Sequence, residues 1–265
     1  MELTASNLPN EFPKTMNEQQ FTALAPHYDE LMEVVPYDAW CDYVLLLFST
    51  VEHDPQKLLD CACGTGNVSF ELAKVGIDVT GVDIAPEMIA IAHEKAAQSA
   101  QSVRFLEADL TNFDLGERFD CATCLYDSLN YILEPEQLRA AFGRIAAHLE
   151  GGGIFVFDMN SDYALTADLF TQANLDPQKS LHYNWQAHHD EATRITRVEM
   201  NFSRRASNGE LQTFQEIHRE RAYQLDEVRE MLISTGWEIL KTYDAYTLNL
   251  PHGASERWFF VVRKI

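Results

Sequence analysis

Two apolar runs, one ending in a glycine turn and the next in an acid, carry the clearest chemistry in the chain. Residues 60–66 read Asp-Cys-Ala-Cys-Gly-Thr-Gly, and Asp83 ends the following run. A strand that passes through a tight turn into a helix brings backbone N–H groups close to an anionic or carboxylate-bearing ligand. An acid at the end of the neighbouring strand accepts two ribose hydroxyls. The spacing therefore predicts a site for an adenosine-containing cofactor.

The glycine spacing narrows the choice of cofactor. Nicotinamide and flavin folds usually read G-x-G-x-x-G, but Ser69 stands where a third glycine would follow Gly64 and Gly66. A P-loop sequence for a nucleoside triphosphate is absent from the chain. Asp60, before the turn, suits a ligand with an ammonium group, which S-adenosylmethionine carries and a pyrophosphate lacks. The alternatives are a nicotinamide cofactor and a strand–turn–helix corner without a ligand.

These stretches resemble the class I S-adenosylmethionine-dependent methyltransferases. The matching residues are 60–66, Val79–Ile84 and Ala108–Leu110. The first glycine of the family is Ala62 here, which departs from the pattern. By order of elements the resemblance covers nearly the whole chain. It is greater to the N-methyltransferases of amino sugars and of glycine, which also carry an antiparallel sheet after the fifth strand. The resemblance implies S-adenosylmethionine as the cofactor.

The cofactor residues receive individual roles. We expect Asp83 to accept the ribose hydroxyls and Asp109, after the third strand, to accept the adenine amino group. The alternatives are a helix cap for Asp83 and a turn residue for Asp109. The resemblance implies that Tyr28 closes over the cofactor; for Tyr28 and Trp40 the alternative is core packing. The predicted cofactor-binding residues are Tyr28, Trp40, Asp60, Cys61, Ala62, Gly64, Gly66, Asp83, Ile84, Met88, Asp109, Leu110 and Leu125.

The segment Leu125–Tyr131 follows the fourth predicted strand, at the edge where open α/β sheets bind ligands. Methyl transfer from a sulfonium is an in-line displacement that depends mainly on alignment of the attacking lone pair. An amine acceptor must also lose a proton, which Asp127, Tyr131 or a histidine could take. The predicted catalytic residues are Asp127, Asn130 and Tyr131. For Asp127 the alternative is a helix cap without a chemical role.

No metal site is predicted. The four cysteines of neighbouring strands do not converge easily, because alternate strand residues face opposite sides of a sheet. The histidines of the later strands have no fixed convergence either. These two sets are Cys61, Cys63, Cys121 and Cys124, and His182, His188, His189 and His218. Tyr183 and Trp185 are expected to form packing or dimer contacts rather than a substrate cage.

Apolar strands and amphipathic helices alternate between residues 57 and 158, as in a parallel sheet. The predicted strands are 57–62, 78–83, 103–108, 119–125, 154–158, 238–243 and 257–262, and the predicted helices are 67–75, 86–97, 135–149 and 226–234. A helix over Asp162–Ala173 and antiparallel strands over 181–189, 193–206 and 211–223 are predicted between them. The fold class is α/β: a Rossmann-like, doubly wound, seven-stranded, mostly parallel sheet with an antiparallel last strand, plus an antiparallel β insertion after strand 5.

Three units follow from this order. Residues 1–50, with predicted helices over Asn17–Leu24 and Tyr37–Phe48, are expected to cap the cofactor site. Residues 51–160 and 224–265 form the methyltransferase core. Residues 161–223 form the insertion, expected to cover the substrate or to pair two copies as a homodimer.

Composition limits the partners. The formal net charge is -21, which repels phosphate backbones and disfavours nucleic acid as a substrate. The first 20 residues lack the apolar stretch of a signal peptide, and no apolar run approaches the ~18 residues of a membrane span. The five cysteines fit a reducing compartment, so the predicted location is cytoplasmic with no membrane partner.

The predicted function is S-adenosylmethionine-dependent methyl transfer to a small molecule, first at nitrogen and second at oxygen. The alternatives are a non-catalytic S-adenosylmethionine-binding module, a tRNA or protein methyltransferase, and a nicotinamide-dependent dehydrogenase.

Overall fold

A seven-stranded sheet forms the centre of the molecule. The computed structural model describes residues 20–174, 176, 178–205 and 209–265. The strands of this sheet are β1 (Lys57–Cys61), β2 (Asp78–Asp83), β3 (Arg104–Glu107), β4 (Phe119–Cys124), β5 (Leu149–Asn160), β10 (Trp237–Asp244) and β11 (Arg257–Lys264). Their order is β10-β11-β5-β4-β1-β2-β3, and only β11 runs antiparallel to its neighbours. The predicted fold class is confirmed.

Helices cover both faces of this sheet. They are α1 (Tyr28–Leu31), α2 (Tyr37–Ser49), α3 (Asn67–Lys74), α4 (Pro86–Gln98), α5 (Pro135–His148), α6 (Asp162–Thr166) and α7 (Leu225–Ser234). On one face α5 and α7 bury Phe142 and Met231 against the sheet, and on the other α2 and α3 bury Leu47 and Leu72. Within the described ranges, no helix combines the length and apolar character needed to cross a membrane.

The insertion is a separate antiparallel sheet. Its strands are β6 (Gln172–Asn174), β7 (Leu181–Asp190), β8 (Ile195–Arg205) and β9 (Leu211–Arg221). Alternate residues of β8 are buried, because Val198, Met200 and Phe202 pack with Leu24 of the N-terminal segment. The predicted antiparallel insertion is therefore confirmed, and its apolar face meets the part of the chain that precedes α1.

Two of the predicted helices are wrong. Only Asp162–Thr166 of the segment Asp162–Ala173 is helical, and Gln172–Asn174 pairs with β7 instead. Asp168 adopts a left-handed conformation (φ 57°) just after the helix, which turns the chain away. In the predicted helix Asn17–Leu24, residues 17–19 lie outside the described part, and residues 20–24 form turns and bends.

The predicted helix 135–149 ends one residue early, and the triple glycine 151–153 that follows it belongs to a strand. The helix α5 ends at His148, and the glycines belong to β5, which starts at Leu149. Gly153 lies against the neighbouring strand, since a Cβ there would stand 2.9 Å from the Asp120 carbonyl oxygen. Gly153 therefore serves close strand pairing rather than a helix end.

Candidate active site

A cavity of ≈ 300 Å³ opens at the carboxyl ends of β1, β2 and β4. The glycine turn and the end of β2 form one side, the segment after β4 forms the floor, and α1 with the insertion sheet closes the other side. The predicted residues on its wall are Tyr28, Trp40, Asp60, Ala62, Gly64, Asp83, Ile84, Met88, Leu125, Asp127 and Tyr131. The structure thus brings together most of the residues that the sequence singles out.

The turn after β1 has a left-handed backbone at three positions: Ala62 (φ 54°), Gly64 (φ 55°) and Gly66 (φ 83°). At Gly66 a Cβ would stand 2.5 Å from the Phe105 ring, so packing requires the glycine. At Gly64 a Cβ would meet no atom within 4 Å. The turn therefore packs against β3 on one side and leaves open space above Gly64 for a ligand.

Asp83 connects this turn to the start of α4. Its Oδ2 accepts the Gly64 N–H and its Oδ1 accepts the Ala85 N–H, both at 2.8 Å. Burial raises the pKa of Asp83, while these backbone donors act in the opposite direction. The helix-cap role is thus observed, a carboxylate has lone pairs for further donors, and the role of Asp83 as acceptor of the ribose hydroxyls stays a prediction.

Asp60 is buried below the turn, where it accepts hydrogen bonds from Ser69 Oγ (2.5 Å) and Thr123 Oγ1 (2.9 Å). Burial raises the pKa of Asp60 to about 6. Ser69 thus occupies the position of the third glycine of nicotinamide folds and holds Asp60 beside the turn.

An apolar strip beside Asp83 fits an adenine ring. Ile84 is 65% exposed where it lines the cavity, while Met88 is buried next to it. An aliphatic side chain this exposed gains burial when a flat ring covers it. Together with the acceptor oxygens of Asp83 and the open space at Gly64, this wall fits the adenosine part of S-adenosylmethionine.

Five predicted residues of the described chain do not line the cavity: Cys61, Gly66, Asp109, Leu110 and Asn130. Asp109 is a turn residue, which was the alternative to its adenine-binding role, since its Oδ1 accepts both the N–H and the hydroxyl of Thr111 (2.8 Å each). Leu110 and Cys61 are buried in the core. The adenine roles of Asp109 and Leu110 stay predictions.

Asn130 joins three elements through its amide. Its Nδ2 donates to the carbonyl oxygens of Asn160 and Arg221 (3.1 Å each), and its Oδ1 accepts the Asn160 N–H (3.0 Å). The side chain is fully buried. These bonds to β5 and β9 hold the segment after β4, and a catalytic role for Asn130 stays a prediction.

The segment after β4 begins with two strained residues, Tyr126 (φ 66°) and Asp127 (φ 54°). Consecutive left-handed residues that are not glycine are costly and cluster at functional sites. The turn directs Asp127 Oδ1 to Arg257 Nη2 (2.7 Å), and Arg257 Nη1 donates to Asp158 on β5. Arg257 therefore has both terminal nitrogens paired with carboxylates.

Further acid surrounds this ion pair. Glu220 of β9 lines the cavity and accepts a hydrogen bond from Asn160 Nδ2 (2.8 Å). Burial raises the pKa of Glu220 well above its usual range, with the neighbouring charge of Asp127 as a second cause. For Asp127, burial raises the pKa to about 6, against the opposing effect of Arg257. At neutral pH Asp127 is thus largely ionised, while burial favours the protonated form of Glu220.

Sequence reasoning missed the partners of Tyr131. The Tyr131 hydroxyl lies 2.9 Å from Nδ1 of His218, and Nε2 of His218 lies 2.9 Å from Oε2 of Glu216. His218 had been weighed as a metal ligand or a substrate-facing residue, and it lines the cavity. The available signal was the alternation of Glu216, His218 and Glu220, which places three polar side chains on one buried face of β9.

Aromatic side chains cover the cavity. Tyr28, Trp40 and Tyr126 line it, and the rings of Trp40 and Tyr126 lie 5.1 Å apart. Trp185 of β7 also lines it while its ring packs against Tyr183 with centroids 4.7 Å apart, so the expected packing is observed, and a dimer contact stays a prediction. In the described part of the chain its Nε1 is buried without a hydrogen-bond partner.

Asp29 fixes α1 over the turn. Its carboxylate accepts hydrogen bonds from Thr65 Oγ1 (2.6 Å), Asn67 Nδ2 (2.9 Å) and Lys95 Nζ (2.8 Å). Burial alone would raise the pKa of Asp29, but the bonds from Lys95 and Thr65 lower it below its usual value. This network positions Tyr28, the residue before Asp29, at the cavity.

Comparison with known proteins agrees with this geometry. A family model described as "Methyltransferase domain" matches residues 58–153. A protein named as a methyltransferase in Geobacillus sp. (strain WCH70) is 32% identical over 245 residues, which cover 92% of this chain and 99% of that protein. A second relative covers less: dTDP-3-amino-3,6-dideoxy-alpha-D-glucopyranose N,N-dimethyltransferase of Streptomyces fradiae is 33% identical over 108 residues, 40% of this chain and 41% of that enzyme.

Among solved structures, an S-adenosylmethionine-dependent methyltransferase from Clostridium acetobutylicum ATCC 824 matches with a TM-score of 0.82 and 28% identity. The match covers 93% of this chain and 99% of that one. The similarity thus spans nearly the whole chain. The chain belongs to the class I S-adenosylmethionine-dependent methyltransferases, and S-adenosylmethionine is its cofactor.

Proposed function

We propose that this enzyme methylates the nitrogen of a small amine that carries no phosphate. The observation that supports this most is the single cavity, which joins the cofactor wall at Gly64 and Asp83 to a polar wall at Asp127, Tyr131 and His218. A small acceptor on the polar wall lies directly opposite the cofactor residues.

Charge favours an amine over a neutral alcohol or an acid. Asp127 and Asp158 together face one cation, Arg257, so the ion-pair cluster keeps a net negative charge. A protonated amine is attracted to such a site, and a carboxylate is repelled. An ammonium ion also forms stronger hydrogen bonds to the acceptors there than a neutral hydroxyl does.

The same charges disfavour an acceptor that carries a diphosphate, such as the one in the name of the Streptomyces fradiae relative. Of the described residues that line the cavity, Arg257 alone carries a permanent positive charge, and its terminal nitrogens are already paired. A diphosphate needs unpaired cationic or N–H donors. An unphosphorylated amine therefore suits this cavity better than a nucleotide-linked one.

The chemistry is an in-line displacement. When bound, S-adenosylmethionine supplies a methyl group on a positively charged sulfur. The chain must orient the acceptor nitrogen, remove its proton and exclude water. Tyr28, Trp40 and Trp185 are suited to exclude water, since they form the aromatic cover of the cavity. Alignment of this kind contributes on the order of 7–11 kcal/mol to catalysis.

The insertion, residues 161–223, serves in this proposal as the cover of the acceptor site. It is supported by the residues that β7, β8 and β9 contribute to the wall: Trp185, Met200, His218 and Glu220. The N-terminal unit, through Tyr28 and Trp40, caps the cofactor in the same way. Pairing of two copies through the insertion stays a prediction.

A panel of acceptors tests the proposal. The enzyme is incubated with S-adenosylmethionine labelled at its methyl carbon and with D-glucosamine, D-glucosamine 6-phosphate, D-glucose, small alkyl amines and small carboxylic acids. Label is expected in unphosphorylated amines, about tenfold or more above their phosphorylated counterparts, because like charges oppose binding. Label mainly in carboxylates, in neutral sugars or in phosphorylated amines would contradict the proposal.

Two alternatives give different results. A non-catalytic binding module would bind S-adenosylmethionine and S-adenosylhomocysteine in calorimetry but transfer no label to any acceptor. A tRNA or protein methyltransferase would transfer label to bulk tRNA or to cell protein, which the net charge of -21 disfavours for tRNA.

A further inference from the structure

Glu216 on β9 holds the N-terminal segment Phe21–Leu24 against the insertion sheet. Its Oε1 accepts the N–H groups of Thr22 and Leu24 (2.8 Å each), and its Oε2 accepts the N–H of Phe21 (2.9 Å). Burial alone would raise the pKa of Glu216, but hydrogen bonds from His218 and the Leu24 amide lower it. The carboxylate is therefore ionised at neutral pH, although its side chain is fully buried.

The ionised carboxylate determines which nitrogen of His218 carries a proton. Carboxylates only accept hydrogen bonds, so Nε2 of His218, 2.9 Å from Glu216, must be protonated. In the neutral ring Nδ1 is then an acceptor, and the Tyr131 hydroxyl at 2.9 Å donates to it. The oxygen lone pairs of Tyr131 remain for a donor in the cavity, which both residues line.

We propose that Tyr131, His218 and Glu216 form a relay that takes up the proton of the acceptor nitrogen. This inference rests on the proposed N-methylation. An N–H bond of the acceptor ammonium breaks and its proton passes to the Tyr131 oxygen, while the Tyr131 hydroxyl proton passes to Nδ1 of His218. The freed lone pair forms the N–C bond, and the electrons of the broken C–S bond stay on sulfur. The imidazolium left behind lies beside the Glu216 carboxylate.

Other titratable groups also face Tyr131, and none of them suits this role as well. They are Glu220 of β9, Asp127 and Tyr126 after β4, and Tyr28 of α1. Glu220 accepts a hydrogen bond from Asn160 Nδ2 at 2.8 Å, and burial raises its pKa, which favours its protonated form. Asp127 is held by Arg257 at 2.7 Å, which reduces its basicity. Burial raises the pKa of Tyr126 and Tyr28, as it does that of Tyr131, but among the described hydrogen bonds of these three hydroxyls only that of Tyr131 reaches a histidine.

Glu216 is a positioning residue in this relay and also couples it to the N-terminal segment. One carboxylate binds three backbone N–H groups of the segment and the ring of His218. The Phe21 ring packs edge-on to His218, with centroids 4.6 Å apart. The relay is thus complete only when the segment that helps to close the cavity is in place.

The geometry is tested first without an acceptor, on enzyme saturated with S-adenosylhomocysteine. Nitrogen NMR of histidine-labelled protein should show the neutral His218 ring with its proton on Nε2; a proton on Nδ1 would overturn the relay. Amide hydrogen exchange at Phe21, Thr22 and Leu24 should accelerate about tenfold in Glu216→Gln, because bonds to a charged acceptor become bonds to a neutral one. Unchanged exchange would remove Glu216 as the holding group. His188→Gln, an exposed histidine of the same sheet, is the matched control.

The kinetic test uses the amine that the wild type methylates fastest in the panel. In His218→Gln, kcat should fall on the order of 100-fold or more while KM stays within about threefold, and the rise of kcat with pH should disappear. Full turnover of His218→Gln, or loss of the pH-dependent rise in Glu220→Gln but not in His218→Gln, would overturn the relay alone. No methyl transfer to any amine by the wild type would instead refute the proposed function, and the relay with it.

Discussion

Asp83 holds two parts of the cofactor site together, so its removal tests the site directly. Its carboxylate accepts the N–H of Gly64 in the turn and the N–H of Ala85 before α4, both at 2.8 Å. The remaining lone pairs are the expected acceptors of the ribose hydroxyls. In Asp83→Ala all of these interactions are lost, while the backbone at the end of β2 can keep its conformation, since alanine can adopt that of a strand.

The expected magnitude follows from the kind of bond. A hydrogen bond to a charged group contributes about 1.5–3 kcal/mol. Loss of the ribose acceptor should therefore raise the Kd for S-adenosylhomocysteine about 10- to 150-fold. The two backbone N–H groups lose their acceptor as well, which should lower the free energy of unfolding by about 1–3 kcal/mol. Affinity and stability should fall together, because one carboxylate serves both.

Calorimetric titration with S-adenosylhomocysteine and urea unfolding measure the two effects. Asp78→Ala is the matched control, because Asp78 is an exposed acid at the start of the same strand. This control should bind with unchanged affinity and unfold with a free energy within about 0.5 kcal/mol of the wild type. A folded Asp83→Ala protein whose Kd stays within twofold of the wild type would refute the assignment of Asp83 to the ribose.

Three further substitutions and one control substitution test the frame around the site. Ala62→Gly should raise the free energy of unfolding by about 1 kcal/mol, because glycine tolerates the left-handed conformation (φ 54°); an unchanged urea midpoint would contradict strain there. Burial raises the pKa of Asp60 from 3.8 to about 6, so the folded state binds more protons than the unfolded state between these values and stability falls as pH rises through that window. In Asp60→Asn this fall in the free energy of unfolding, at most about 3 kcal/mol, should be absent. If the curves of stability against pH for the wild type and for Asp60→Asn run parallel, the prediction is contradicted. Gly81→Ala should lower the free energy of unfolding by about 1–3 kcal/mol, since the new Cβ would stand 2.7 Å from the Phe105 ring. The control is Gly143→Ala in α5, where a Cβ would meet no atom within 4 Å, so this change should be neutral or stabilising. Thermal unfolding measures both effects.

The cofactor half of the site could be predicted because its signals are local. The turn spans residues 60–66, and Asp83 ends the next strand of a parallel sheet, so strand order alone brings them together. The backbone N–H of Gly64 and the carboxylate of Asp83 confirm this proximity at 2.8 Å. Asp109 shows the limit of such reasoning: it also follows a strand, but its carboxylate binds its own turn.

The polar wall could not be predicted in the same way, because its contacts are distant in sequence. Tyr131 meets His218 across 87 residues, and Asp127 meets Arg257 across 130. The first pair depends on how the insertion sheet lies over the segment after β4, and the second depends on the place of β11 beside β5 in the central sheet. No local pattern encodes either arrangement. The helix predicted over Asp162–Ala173 failed for a related reason, since pairing of Gln172–Asn174 with β7 overrides the helical period.

Ser69 explains why the glycine spacing carries information about the cofactor. In nicotinamide folds a third glycine lets the helix pack closely on the strand. Here the hydroxyl of Ser69, fully buried, donates to Asp60 Oδ2 at 2.5 Å. A glycine would remove one of the two hydroxyl donors of a buried carboxyl, which is costly. The acid before the turn and the serine in the helix are therefore coupled, and the departure from G-x-G-x-x-G follows from holding the buried carboxyl of Asp60 beside the turn rather than from a relaxed packing requirement.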